Sequence, residues 1–171
     1  MNINRNIRIE KVTLNIGAGK SVEKLEKGMK LIKMITGISP VKTITQKRIP
    51  GWGLRPGIPV GCKLTLRKKK AQEILSLLLK AKDNILSESN FDEFGNLSFG
   101  IHEYIDIPGI KYSPDIGIMG LQVCVTFERA GFRVKRKKTG SKKIGARHNL
   151  TKKEVIDYVT KNFEVSIKEE K

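Results

Sequence analysis

Gly17-Ala18-Gly19-Lys20-Ser21 lies between an alternating apolar run and a helical one, and it ends as phosphate-binding loops end. A complete loop of that kind needs a glycine five residues before its last one, where this chain has Leu14. Leu14 alternates with Val12 and Ile16 and is better explained as core. The backbone wrap around a β-phosphate is therefore missing, and no apolar strand ends in an Asp suited to magnesium. What remains is a weaker offer to an RNA phosphate: backbone N–H groups at a helix start, and the Lys20 ammonium. A nucleotide-binding enzyme using residues 17–21 stands as the alternative reading. His102 and His148, the only histidines, have no partner at nucleophile or metal spacing, which favours structural or RNA-contacting roles. Cys62 and Cys124 are far apart and form neither a disulfide framework nor a zinc pattern. The expectation is no catalytic residue, no metal and no cofactor.

The segment 46–61 carries a different chemistry. It holds Lys47, Arg48 and Arg55, three prolines and the only tryptophan of the chain, Trp52, set between Gly51 and Gly53. A tryptophan without apolar neighbours in a turn-rich segment reads as a stacking group for a base or sugar, worth roughly 1–3 kcal/mol. The other reading is a loop that folds back and buries Trp52 on its own sheet. The cations would hold phosphates, adding affinity without sequence information.

Charge follows the same direction. The 171 residues carry 34 Lys and Arg against 17 Asp and Glu, a formal charge of +17. Residues 27–72 contain twelve cations and no acid, and 129–153 contain eleven cations and no acid. Residues 83–115 hold seven acids and one cation, Lys111. A short charge run is often only a solvated face, but two long acid-free stretches point to a polyanionic partner. The acidic middle suits a face turned to solvent or to a basic protein. No apolar run has the length of a membrane span, and the first residues lack a secretory pattern. The expected setting is cytoplasmic, with no membrane partner.

The elements that must position these groups read as β-α-β-β-α-β-β-α. Val12, Leu14 and Ile16 form a strand with one buried face. Ser21 caps a helix with Val22, Leu25, Met29, Ile32 and Ile35 as its stripe and Gly37 as its stop. A short strand covers 41–45, and a third places Cys62, Leu64 and Leu66 opposite Lys63, Thr65 and Arg67. A helix follows over 68–82. Strands at Leu97, Phe99, Ile101 and at Leu121, Val123, Val125, Phe127 precede an arm, 129–150, without apolar period, expected to gain order on a partner. Thr151 and Glu154 form a capping box for a last helix. The fold class is a single α+β domain over 1–171, largely antiparallel, with helices on one sheet face and a polar, basic face left open.

Ile58-Pro59-Val60-Gly61-Cys62-Lys63-Leu64-Thr65-Leu66-Arg67 closely resembles a segment of the large-subunit ribosomal protein five family, which binds 5S rRNA. Residues 11–19 resemble its first strand and glycine turn. Ile35-Thr36-Gly37, Pro40-Val41 and Thr43 resemble its passage from helix to strand. Phe91-Asp92, Gly95-Asn96-Leu97-Ser98-Phe99-Gly100, the stretch 112–121, Gly131-Phe132-Arg133-Val134 and Arg147-His148 follow the archaeal and eukaryotic branch. One departure stands at the loop root: Thr45 fits, but Gln46 and Arg48 do not, so the charge is shifted onto Lys47 and Arg48.

The resemblance implies a structural role in the central protuberance of the large ribosomal subunit. The implied partners are 5S rRNA, the large-subunit rRNA, neighbouring 5S-associated ribosomal proteins, P-site tRNA and a small-subunit head protein across an intersubunit bridge. By position, Asn15, Gly17, Gly19 and Lys20 would contact 5S rRNA, with Lys63, Thr65 and Arg67 adjoining. Lys47, Arg48, Trp52 and Arg55 would reach tRNA. Arg133, Lys135, Arg136, Lys137, Lys138, Lys142, Lys143 and Arg147 of the arm would reach rRNA or tRNA.

Overall fold

The strand announced by Val12, Leu14 and Ile16 is longer than its alternation suggests. In the computed structural model, which describes residues 2–168, β1 runs Ile7–Gly17. Ile9 also faces the core, three residues before Val12 instead of two, because the register shifts between Ile9 and Lys11. That bulge breaks the period of two and hides the first half of the strand from pattern reading.

β1 is the centre of a five-stranded antiparallel sheet. With β2 (Val41–Ile44), β3 (Pro59–Leu66), β5 (Leu97–Ile101) and β6 (Leu121–Arg129), the order is β2-β3-β1-β6-β5. Cys62, Leu64, Leu66, Leu97, Phe99, Ile101, Leu121, Val123, Val125 and Phe127 all point into one core with the inward residues of β1.

The helices close that face. In α1 (Val22–Thr36), Ser21 Oγ accepts the Lys24 N–H at 3.2 Å, and Gly37 ends the helix at φ +71°. Gly28, mid-helix, lets α1 sit close to the sheet: a Cβ there would lie 3.1 Å from Ile16 Cγ2 and 3.3 Å from Cys62 Sγ. α2 (Lys68–Lys80) buries Ala71, Leu75, Leu78 and Leu79. α4 (Lys152–Phe163) has the expected capping box, buries Val155 and Val159, and sets Tyr158 edge-on to Phe127 at 5.8 Å.

Three sequence expectations change. α2 stops at Lys80, before residue 82, because Asp83 and Asn84 turn the chain in the left-handed region, both at φ +54°. They lead into β4 (Ile85–Ser87), which pairs in parallel with β7 (Ser166–Lys168) in a second sheet absent from the sequence reading. Strands of three residues, some eighty residues apart, carry no local signature. The arm is also less free than its composition suggests. It contains a helical turn, α3 (Arg133–Arg136), and its two ends are tied together.

Candidate nucleic-acid interface

On the open face of the sheet the register assembles rows of short polar side chains. Lys63, Asn15, Gln122 and Gly100 lie side by side across β3, β1, β6 and β5; the next row is Thr65, Thr13, Cys124 and Ser98. Asn15 Nδ2 donates to Gln122 Oε1 at 3.0 Å. The middle of this face is polar, with Lys63 in its first row and Lys11 and Arg67 further along the same alternation. Short hydroxyl and amide groups cost less to desolvate than charged ones and let a backbone approach closely, while most of the charge stands at the two ends.

At one end lies the 17–21 turn. The N–H groups of Ala18 and Gly19 both donate to the Val60 carbonyl, at 2.8 and 3.1 Å, and the Ser21 N–H goes to Ala18 O. Leu14 is fully buried. The turn therefore presents the Lys20 ammonium more than a cradle of backbone donors, and the nucleotide-enzyme reading loses its geometric basis.

The loop that leads into β3 comes to the same place. Ile49 and Leu54 exchange two backbone hydrogen bonds of 3.0 Å, Leu54 is buried beneath, and Gly53 turns at φ +59°. Trp52 is 70% exposed, so the loop holds its ring outward instead of burying it. Lys47, Arg48 and Arg55 are exposed around it. A Cβ at Gly53 would collide with Lys20 Nζ, so the Lys20 side chain crosses the loop backbone. Residues assigned from sequence to two separate RNAs thus meet at one end of the molecule.

At the opposite end the arm returns to the sheet. Arg129, only 5% exposed, donates through Nη1 to the carbonyls of His148 and Asn149 at 3.3 and 3.2 Å, and pairs through Nη2 with Glu154 at 2.7 Å. Burial acts to raise the Glu154 pKa, but hydrogen bonds from Arg129 and Thr151 outweigh it and hold the carboxyl below its ordinary range. His148 Nε2 meets the Ala130 carbonyl at 2.8 Å and its ring leans on Phe132, so this histidine is structural. Arg133, Lys135, Lys137, Lys138, Lys142, Lys143 and Arg147 are exposed along the arm. Arg136 is exposed too, but it pairs with Glu10 and Glu128, and Arg67 pairs with Glu10 at 3.1 Å.

Sequence reading did not single out Gln122, Arg8, Glu10 or Glu128. Gln122 lies on the outward alternation of β6, a signal that was present; the acids are meaningful only once their partners are known. His102 and Cys124 are exposed and Cys62 is buried, its thiol pKa raised by burial. Among the described residues no three His, Cys, Asp or Glu converge on a common point suited to a metal. No helix among them is long and apolar enough to cross a membrane.

A sheet covered on one side and open on the other, with cationic loops at both ends, is the architecture of a basic α+β protein suited to a polyanionic partner. The chain belongs to the ribosomal protein L5 family, in its archaeal branch. The family description "Ribosomal protein L5" matches residues 2–55, and the description of the same family's C-terminus matches residues 59–158. Among its relatives is the large ribosomal subunit protein uL5 of Nanoarchaeum equitans, 49% identical over 95% of this chain and 96% of that protein. Those of Sulfurisphaera tokodaii and Methanosphaera stadtmanae are 45% and 44% identical, covering 96% and 98% of this chain and 94% and 99% of theirs.

Proposed function

We propose that this chain is a structural constituent of the large ribosomal subunit in the cytoplasm, that it binds 5S rRNA, and that it helps attach it to the large rRNA. The observation that carries the reading is the open sheet face, with its rows of short polar groups between two cationic ends. Asn15, Gly17, Gly19, Lys20, Lys63 and Thr65 supply the 5S rRNA contacts, with Arg67 at their margin. The loop bearing Trp52 reaches P-site tRNA, with the ring for stacking and Lys47, Arg48 and Arg55 for phosphates. The arm follows rRNA or tRNA, and the acidic middle suits protein neighbours, including a small-subunit head protein across an intersubunit bridge.

The test is binding to a 5S rRNA transcript across a salt series with excess tRNA as competitor. Generic attraction of a polycation collapses steeply as counterions compete. Retention of 5S rRNA against both salt and tRNA is the expected result. Loss to the competitor would overturn the reading.

A further inference from the structure

Two nearly buried carboxylates on a face that meets RNA are out of keeping with simple charge attraction. The side chains of Glu10 and Glu128 keep 11% and 8% of their exposure, whereas Arg8, Arg67 and Arg136 around them keep 63%, 54% and 44%. Arg8 donates from Nε and Nη2 to Glu128 Oε1 at 2.9 and 2.7 Å. Arg136 bridges the two acids, Nη2 to Glu128 Oε2 and Nη1 to Glu10 Oε1, and Arg67 Nη1 closes the series on Glu10. One alternating chain of charges, Arg8–Glu128–Arg136–Glu10–Arg67, therefore joins β1, β6, the root of the arm and the end of β3.

Ion pairs this exposed on their cationic side contribute little stability, so stability alone is a weak reason for the arrangement. Its geometric consequence is larger. Each guanidinium has five N–H donors and uses at most two groups on the carboxylates, so donors remain on all three. The acids fix side chains that would otherwise lose rotamer freedom on binding, which is how preorganisation raises affinity. Arginine is also the residue suited to forked contact with phosphate, and it is concentrated here. Only nine of the 34 cations are arginine, yet four of the six ion pairs among the described residues join Arg8, Arg67 and Arg136 to Glu10 and Glu128.

We propose that Arg8, Arg67 and Arg136 form a phosphate-binding site for RNA, with Glu10 and Glu128 as its positioning residues. The site rests on the RNA-binding reading above and adds a second grip. Arg8 lies nine residues before the end of β1, about 30 Å from the Gly17 turn at strand rise, so the two ends hold separate stretches of one RNA.

The experiment compares binding of the full chain to a 5S rRNA transcript at about 0.2 M salt, where generic attraction is weakened. Glu10→Gln with Glu128→Gln removes two negative charges and so raises the net charge by two, which tightens binding if net charge rules. The site instead requires binding about tenfold weaker, from loss of charge-assisted positioning. Glu73→Gln with Asp157→Asn, the same charge gain at exposed helix positions, should bind as wild type or slightly tighter. Arg136→Lys and Arg8→Lys keep the charge, and each should weaken binding several-fold; they carry the test if the acid variant fails to fold by circular dichroism. Binding by the folded acid variant equal to or tighter than wild type overturns the site, as does an unchanged affinity for both Lys variants. A wild type that loses 5S rRNA to tRNA overturns the parent reading and the site with it, which separates the two failures.

Discussion

Replacing Arg129 by Met would remove the tie that closes the basic arm. The guanidinium is almost fully buried, and it is the shared donor for two carbonyls at the far end of the arm and for Glu154 at the start of α4. Hydrogen bonds from a charged donor contribute about 1.5–3 kcal/mol, and bonds of 3.2 and 3.3 Å belong at the lower end. Glu154 is over a third exposed, so its pair adds only ~0.5–1 kcal/mol after solvent screening. The Met stem restores some packing, and the net loss expected is about 3 kcal/mol. For a chain of this size each kcal/mol moves the melting point by about 2–4 °C, so the Tm should fall by about 6–12 °C. Differential scanning calorimetry measures it, and limited trypsin digestion should show faster cleavage within 133–147. A pH series adds a sign. The Glu154 pKa is lowered in the folded state, so its contribution is present above the ordinary carboxylate range and is lost as pH falls through the folded value. That component should shrink in the Met variant to the part owed to the Thr151 hydrogen bonds. A Tm within about 2 °C of wild type, with the arm cut no faster, would refute the reasoning.

Gly28→Val should destabilise by about 2–3 kcal/mol, because a Cβ already fits tightly against Ile16 and Cys62 and the two γ-methyls would overpack the contact; urea unfolding reads it as a lower midpoint. Glu164, at the end of α4, sits at φ +53°, where glycine avoids a penalty of roughly 1–2 kcal/mol. Glu164→Gly should therefore raise the Tm by a few degrees, and a fall would contradict the cap geometry. Trp52→Ala should leave the Tm unchanged and retain 5S rRNA binding, while lowering tRNA affinity by roughly 1–3 kcal/mol in a direct binding titration. Lys20→Glu should disturb both partners, since its side chain crosses the Trp52 loop at Gly53.

Much of this protein is determined by local pattern. The alternation in β1, β3, β5 and β6, the Ser21 and Thr151 caps and the Gly37 stop specify element types from neighbours within a few residues, because backbone geometry and burial impose periods of 2 and 3.6. The class of partner is equally legible, since an excess of cations in acid-free blocks needs no fold to be read. The exposure of Trp52 was open between two readings, and only the backbone bonds of Ile49 with Leu54 decide it. The register of β1 with β3 and β6 makes one surface from Asn15, Lys63 and Gln122, which are far apart in sequence. The fold alone brings Arg136 to Glu10, 126 residues away, and joins β4 to β7. Such contacts depend on how the chain closes long loops around a shared core, and no short window of sequence contains that information.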